Sequence, residues 1–530
     1  MNNRFLVALL GWLLGGLAPT ADAARAPRPN IIFLLADDLG YGDVNCNNPA
    51  GKIATPNLDR LAAAGMRFTD AHTTSSVCTP TRYSLLTGRY NWRSRLQSGV
   101  LGGLSPRLIE PGRLTVAALL QQHGYHTAAV GKWHLGLDWV KFKDQPAPEL
   151  NDIEKSNQVW SVDFTQPIAG GPNSVGFEYY FGIAASLDMV PYTFIENNRV
   201  TIVPTVNRSF PMTAGKARGQ TRRGPSAPDF EAEQVLPTLT RKAVDYVASR
   251  AAEAKAGKPF FLYVPFASPH TPIAPTEKFR GKSGLSPYAD FVMETDWAVG
   301  EILAALDRHR FADNTLVFFA SDNGCSPAAE IAELRAAGHE PNGPWRGTKA
   351  DIWDGGHRVP FLACWPGQVK PGTTSDQLIS LVDLMATCAD IIGVRLPDHA
   401  GEDSVSFLPA LQGRAEMPLR EALVHHSING KFAIRQGQWK LELCPGSGGW
   451  SAPRDLPAEK QGLPAIQLYD MAADRAEAMN LQAEHPEVVA RLTKLLEKYV
   501  ADGRSTPGQP QPNDGQIDLW KKTKPQSKKP

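Results

Sequence analysis

The chain is short of several features that usually announce a function. Its six cysteines, Cys46, Cys78, Cys325, Cys364, Cys388 and Cys444, are scattered over 530 residues with no Cys-x-x-Cys pair. That spacing excludes a zinc finger and a redox dithiol. Net charge is nearly absent, 55 Lys and Arg against 54 Asp and Glu leaving +1. A chain so balanced has no general pull toward nucleic acid or an acidic membrane, so any preference for anions must be built locally. There is no internal repeat, and no run after the first two dozen residues reads as a transmembrane helix.

What is present begins with Arg4, an apolar run from Phe5 to Leu17, and Ala21-Asp22-Ala23. These are the parts of a secretory signal with cleavage near Ala23, and the run is shorter than the roughly 20 residues a span needs. No cysteine stands at the cleavage point to take a lipid. The expectation is a secreted or periplasmic protein without membrane contact once residues 1–23 are removed. At 42% hydrophobic the remainder is long enough for a large α/β domain over 24–416 and a smaller subdomain over 417–503. The Pro-, Gln- and Lys-rich end, 504–530, is expected to be disordered.

Asn30-Ile-Ile-Phe-Leu-Leu-Ala36 reads as a strand covered on both faces, and it ends in Asp37-Asp38. Adjacent carboxylates at the C-terminal edge of a buried strand lie where α/β sheets place ligands, and a cation relieves their repulsion. A strand from Thr315 to Ala320 delivers Asp322-Asn323 in the same way. All four are hard oxygen donors, which suits Ca²⁺ or Mg²⁺ and argues against zinc. Between these pairs run helix–strand units. A helix from Thr55 to Gly65 and a strand from Met66 to Phe68 lead toward Cys78; a helix from Leu114 to His123 and a strand from Tyr125 to Val130 lead to Lys132-Trp133-His134. An extended segment there would put Lys132 and His134 on one side. A strand from Pro259 to Phe266 enters the turn that holds His270, and a helix from Tyr288 to His309 follows. Residues 141–224 lose periodicity and read as long insertions over the sheet edge, the kind of loop that carries specificity. Beyond Met417, short strands near Lys431–Arg435, Trp439–Leu443 and Leu468–Asp470 and a helix from Pro486 to Tyr499 predict a small antiparallel sheet with one helix.

Cys78-Thr-Pro-Thr-Arg82, followed by Leu85-Leu-Thr-Gly-Arg89, places a lone cysteine before a proline, an arginine and a helical run. If the helix begins just after Pro80, its free N–H groups and Arg82 face the Cys78 side chain and favour negative charge there. This stretch resembles the signature of the type I sulfatases of the alkaline phosphatase superfamily, with Thr81 where Ser is commoner. Gly131-Lys-Trp-His134, the Ser268-Pro-His270-Thr-Pro272 turn and Arg346-Gly-Thr-Lys349 with Gly355-Gly-His-Arg-Val-Pro360 are similar to further family motifs in the expected order. Asp354 stands where the family usually has Glu. Phe181 to Asp188 resembles the segment that supplies a sulfate-contacting serine, which makes Ser186 a candidate.

The resemblance implies an alkaline-phosphatase-like α/β fold, a large mixed sheet flanked by helices, and hydrolysis of sulfate esters. It implies that Cys78 is oxidised to formylglycine by a formylglycine-generating enzyme and that the hydrated aldehyde is both nucleophile and metal ligand. Asp37, Asp38, Asp322 and Asn323 would complete a calcium site, calcium being the usual family metal and Mg²⁺ the other candidate. Arg82 would orient the diol, Lys132, Lys349 and Ser186 would hold sulfate oxygens, His270 or Lys349 would protonate the leaving oxygen, and His134 would be the base that expels sulfate. The substrate expected is a sulfated carbohydrate or an aryl sulfate, as for bacterial arylsulfatase and N-acetylgalactosamine-6-sulfatase-like enzymes, with no nucleic acid partner and the oligomeric state left open. Two other readings stand beside this one: a phosphonate monoester or phosphodiester hydrolase with the same nucleophile, and an inactive sulfated-glycan-binding protein.

Overall fold

All eight residues of the strand Asn30–Asp37 are buried, because it lies in the middle of a ten-stranded sheet with a parallel neighbour on each side, Phe260–Pro269 and Thr315–Ser321. A strand so placed, with helices over the sheet, keeps apolar side chains between its ends, here from Ile31 to Ala36. The computed structural model describes residues 28–143, 158–216 and 219–522; the expected signal segment 1–23 lies outside the described residues. Next to Phe260–Pro269 come His126–Lys132 and then Tyr179–Ile183, both parallel. On the other side Phe361–Cys364 and Met66–Phe68 run antiparallel. The centre is therefore five parallel strands and the flanks are mixed, as the sequence implied.

Helices Val235–Lys255 and Pro287–His309 pack on each other and on Phe260–Pro269, while Cys78–Thr87, Val116–Gln122 and Leu384–Ile392 form a second group. The sequence fixes Pro287–His309 locally. The Ser286 hydroxyl accepts from the Ala289 N–H, Pro287 occupies the first turn, Asp290 follows it, and the last turn carries Arg308 and His309 before a left-handed Arg310. The expected C-terminal unit is present as four antiparallel strands, Leu423–His426, Phe432–Gln436, Trp439–Glu442 and Gln467–Asp470. Helix Pro486–Asp502 lies against the middle two. Its core includes Tyr90 and Trp92, which follow the Cys78 helix in the chain, and Trp92 meets the Phe432 ring at 5.5 Å. The small subdomain is thus seated on the segment that carries the candidate nucleophile.

The expectation of a disordered tail from residue 504 is corrected over 504–522. Arg89 donates to the Pro512 carbonyl and to Asp514, and Arg93 donates to Asn513 while its other nitrogens grip Asp403. Lys521 donates to the Gln97 carbonyl. A segment poor in apolar residues is ordered here because its carbonyls and short polar side chains are what two buried guanidinium groups require. Residues 523–530 lie outside the described residues. Deleting 504–530 removes one charged partner, Asp514, and the Pro512 carbonyl from buried Arg89 and leaves it Glu402, a loss of about 3 kcal/mol by the usual cost of breaking a buried pair. Differential scanning fluorimetry should show the melting midpoint fall by several degrees, and an unchanged midpoint would refute this account of the tail.

Candidate active site

The five parallel strands end at one edge of the sheet, and each C-terminal end delivers a candidate residue. Asn30–Asp37 supplies Asp37 and Asp38, Thr315–Ser321 supplies Asp322 and Asn323, Phe260–Pro269 supplies His270, His126–Lys132 supplies Lys132 and then His134, and Tyr179–Ile183 leads to Ser186. Register does the alignment. Ala36 lies opposite Ser321, and the Asp322 N–H donates to the Ala36 carbonyl, so the two acidic pairs leave the sheet side by side. Asp37 lies opposite Pro269 across an irregularity after Leu35, which sets it beside His270. Cys78, Arg82 and Lys349 arrive from outside the sheet, and none of these residues is more than 7% exposed.

Three carboxylates meet three cations. Lys132 Nζ lies 2.5 Å from Asp37 Oδ2, Lys349 Nζ lies 2.6 and 2.8 Å from the two Asp38 oxygens, and Arg82 donates from Nε and Nη2 to Asp322 Oδ2 at 3.0 and 2.7 Å. Two acceptors in this cluster have no partner, Asp37 Oδ1 and Asn323 Oδ1. Unsatisfied buried oxygens beside two further carboxylates are a donor set for a hard divalent cation, so these residues fit the calcium or magnesium implied by the sequence. Asp37 and Asp322 do not ionise alike. Burial and the neighbouring Asp37 charge push Asp322 up to about 7; burial also opposes ionisation of Asp37, but Lys132, His270 and Arg82 hold it far below the usual carboxylate range.

Two expectations about this region are corrected. The helix Cys78–Thr87 begins at Cys78 itself, not after Pro80, because a proline in the first helical turn gives up a donor that has no intrahelical partner there. Arg82 does not aim at Cys78. Its hydrogen bonds go to Asp322 and, from Nη1, to the Lys132 carbonyl at 2.9 Å, so it serves position 78 by holding a candidate metal ligand. Burial raises the Cys78 thiol pKa against the pull of Lys132 and Lys349. As a thiol it stays protonated and is a weak nucleophile.

Lys132 ends its strand, and His134 has φ 56°. The pair therefore converges through a left-handed turn and not by alternation along an extended segment. His134 Nε2 lies 2.7 Å from the Leu101 carbonyl, which can only accept, so Nε2 carries the proton and Nδ1 is bare, 3.5 Å from Ser186 Oγ. Burial, then Lys132 and Arg82, hold this imidazole neutral, well below its ordinary pKa. Ser186 thus reaches the cluster through His134. His270 has the opposite polarity: Nδ1 donates to the Thr271 carbonyl at 2.6 Å, and Nε2 stands 3.6 Å from Asp38 Oδ2. Burial and Lys349 lower its pKa, while Asp38, against burial, raises that of Lys349.

Asp38 and Ala350 share the left-handed conformation of His134, with φ 66° and 81°. Each such residue costs about 1–2 kcal/mol and persists because its surroundings over-determine it. The Asp38 N–H donates to Asp322, that of His134 to the Ala184 carbonyl, and that of Ala350 to the Ser76 carbonyl. A further support escaped the sequence reading. Asp43 accepts from the Gly40 N–H, from Tyr288 Oη at 2.5 Å and from His339 Nε2 at 2.9 Å, and Tyr288 also donates to the Asp38 carbonyl. Tyr288 and His339 are 245 and 296 residues from Asp43, and no local signal links them to it. Among the motif glycines, Gly324 serves close approach, since a Cβ there would stand 1.8 Å from the Gly355 carbonyl oxygen.

Replacing Arg82 by Gln keeps bulk but leaves Asp322 facing Asp37 without its counter-charge. Loss of a group that orients a metal ligand typically costs 10–100-fold in affinity. Calcium titration followed by calorimetry should show weakening of at least ~10-fold, and unchanged affinity would mean that Arg82 does not support the cation.

A family model described as Sulfatase matches residues 29–394. N-acetylgalactosamine-6-O-sulfatase of Bacteroides thetaiotaomicron is 34% identical over 516 residues, covering 90% of this chain and 94% of that protein. Arylsulfatase G of Rattus norvegicus is 31% identical over 531 residues, covering 94% and 92%. Among solved structures, a 6S-sulfatase from the glycosaminoglycan metabolism of Bacteroides thetaiotaomicron superposes with a TM-score of 0.76 at 33% identity, covering 89% of this chain and 99% of that one.

Proposed function

The chain belongs to the sulfatase family and is a sulfuric ester hydrolase, and on that premise we propose that it removes sulfate from a carbohydrate with a formylglycine made from Cys78 and a calcium ion. The observation that carries the chemistry is the buried meeting of Lys132, Lys349 and Arg82 with Asp37, Asp38 and Asp322 beside Cys78, with two oxygen acceptors left open. Support for a carbohydrate comes from the relative that acts on N-acetylgalactosamine 6-sulfate.

Asp37, Asp38, Asp322, Asn323 and position 78 would hold a calcium ion, which would supply positive charge to offset that of the sulfate ester and to favour an ionised nucleophile. Formylglycine at position 78, as its hydrate, would supply one hydroxyl to displace the alcohol from sulfur by breaking the ester S–O bond, and a second through which sulfate could be eliminated to restore the aldehyde. The remaining work belongs to the chain. Lys132 and Lys349, each with an ammonium group already aimed into the cluster, hold the sulfate oxygens. His134 is placed to accept a proton at Nδ1, since its Nε2–H is committed to Leu101 and burial keeps the ring neutral. Ser186 steadies that nitrogen or contacts sulfate. Of the two candidate donors to the leaving oxygen, Lys349 carries protons at Nζ and is held charged by Asp38, whereas the neutral His270 ring has its single proton on Nδ1, given to the Thr271 carbonyl, and can donate from Nε2 only as an imidazolium. Maturation would need a formylglycine-generating enzyme, and the Arg4-to-Ala23 stretch, read as a secretory signal, supports a working enzyme outside the cytoplasm.

Mass spectrometry of the tryptic peptide from Phe68 to Arg82, from protein made together with a formylglycine-generating enzyme, should show an aldehyde at position 78. Cys78→Ala should abolish turnover with the circular dichroism spectrum unchanged, and substantial residual activity would overturn the mechanism. p-Nitrophenyl sulfate should be cleaved faster than the corresponding phosphate and phosphonate esters, and the reverse order would move the enzyme to phosphonate hydrolysis.

A further inference from the structure

Three histidines that the proposed reaction does not use meet where three segments cross. His72 lies in the two-residue strand Ala71–His72 ahead of Cys78, His357 ends the short helix Asp354–His357 after Lys349, and His425 belongs to strand Leu423–His426 of the C-terminal sheet. All three are buried. Each has one ring nitrogen committed to an oxygen that can only accept: His72 Nε2 to Asp70 Oδ1 at 2.8 Å, His357 Nε2 to the Ile352 carbonyl at 3.0 Å, and His425 Nδ1 to the Thr73 carbonyl at 3.1 Å. Those nitrogens therefore carry the protons, and Asp70 is held beside His72 by ion pairs to Arg358 and Arg435.

The opposite nitrogens are then bare lone pairs. Two of them, Nδ1 of His72 and Nδ1 of His357, face each other at 3.0 Å. The third, His425 Nε2, is buried with no partner. One ring nitrogen from each histidine lies within 4.8 Å of those of the other two. Lone pairs so close repel unless a proton or a cation stands between them. No ring proton is left to stand between them, since each neutral imidazole carries one N–H and that one is already given outward.

We propose that His72, His357 and His425 bind a divalent transition-metal ion of the zinc class. Three neutral imidazoles are the donor set for such an ion, and an outer N–H given to a carboxylate or carbonyl is how ligating histidines are held. Neighbouring cations do not oppose it, since Arg358, Arg435 and Lys440 are each paired with a carboxylate of Asp70, Asp354 or Glu477. His357 and His425 stack at 3.8 Å with 13° between their planes, so coordination requires the His425 ring to tilt about its bond to Thr73, which swings the unpartnered Nε2 inward. The ion joins the segments leading to Cys78 and from Lys349 to the C-terminal sheet, and its role is positional.

The test uses the full chain, cleared of transition metals on a chelating resin and kept in excess calcium so that the oxygen site stays filled. Added zinc chloride should leave about one zinc per chain after desalting, measured by inductively coupled plasma mass spectrometry. Cobalt chloride in its place should give the visible absorption of a nitrogen-ligated, low-coordinate cobalt ion, and His425→Asn and His72→Asn should each weaken zinc binding at least ~10-fold. Failure of the wild-type chain to retain zinc or to develop the cobalt band overturns the proposal, whether or not the variants fold. Undiminished binding in both variants overturns it as well. None of these readouts depends on turnover, so they stand apart from the sulfatase mechanism.

Discussion

Everything at this site depends on one electrostatic arrangement: three carboxylates and three cations held together out of water. A pair broken in such a setting leaves an uncompensated buried charge, which typically costs 3–5 kcal/mol. Arg82 is the member whose geometry is most constrained. Its planar fork spans Asp322 and the Lys132 carbonyl, so it ties the nucleophile helix to two strands at once. A lysine has one charged point and no fork, and could not make the same span. The site is rigid because its charges cannot separate cheaply, and that rigidity is what lets two oxygens remain without partners.

The rest of the fold can be read as support for that arrangement. Parallel strands place five chain ends at one edge, and the apolar middle of Asn30–Asp37 holds Asp37 and Asp38 at a fixed height. The left-handed residues Asp38, His134 and Ala350 turn the chain sharply where a regular strand would carry the side chains past the cluster. Their strain is small beside the burial of the central strands, where each large apolar side chain contributes about 1.5–3 kcal/mol. The C-terminal subdomain takes part in the same scheme, since Trp92 and Tyr90 anchor it directly behind the Cys78 helix and the residues after 504 close over Arg89 and Arg93.

What could be read in advance follows a physical line. Strand ends marked by acidic pairs were legible because a fully apolar run of strand length has few other meanings, and the Cys78 and Lys349 motifs carry residue types that the chemistry cannot replace. The turn at His134 was not legible, since a left-handed residue other than glycine leaves no mark in the sequence. Nor was the partner of Arg82: an arginine near a cysteine could point at it or away, and only the register of Ala36 against Ser321 decides that Asp322 is within reach. The tail from 504 misled for a related reason. Its composition suggests that it cannot bury enough apolar surface to fold alone, but order is supplied by an arginine more than four hundred residues away.

The two candidate metal centres illustrate how one chain can keep two ions apart. The active-site set is carboxylate and amide oxygen, which favours calcium or magnesium; the histidine set is imidazole nitrogen, which favours zinc over both. Charge reinforces the division. The oxygen site already contains three cationic side chains, each paired with one of its carboxylates, so a further ion is admitted only where it can use the two open acceptors. The histidine site is built from neutral ligands whose protons are locked outward by Asp70, Ile352 and Thr73, and it needs no substrate to complete it. An ion there would be held continuously, and by tying the approaches to Cys78 and Lys349 to one sheet it would fix the spacing between those two segments.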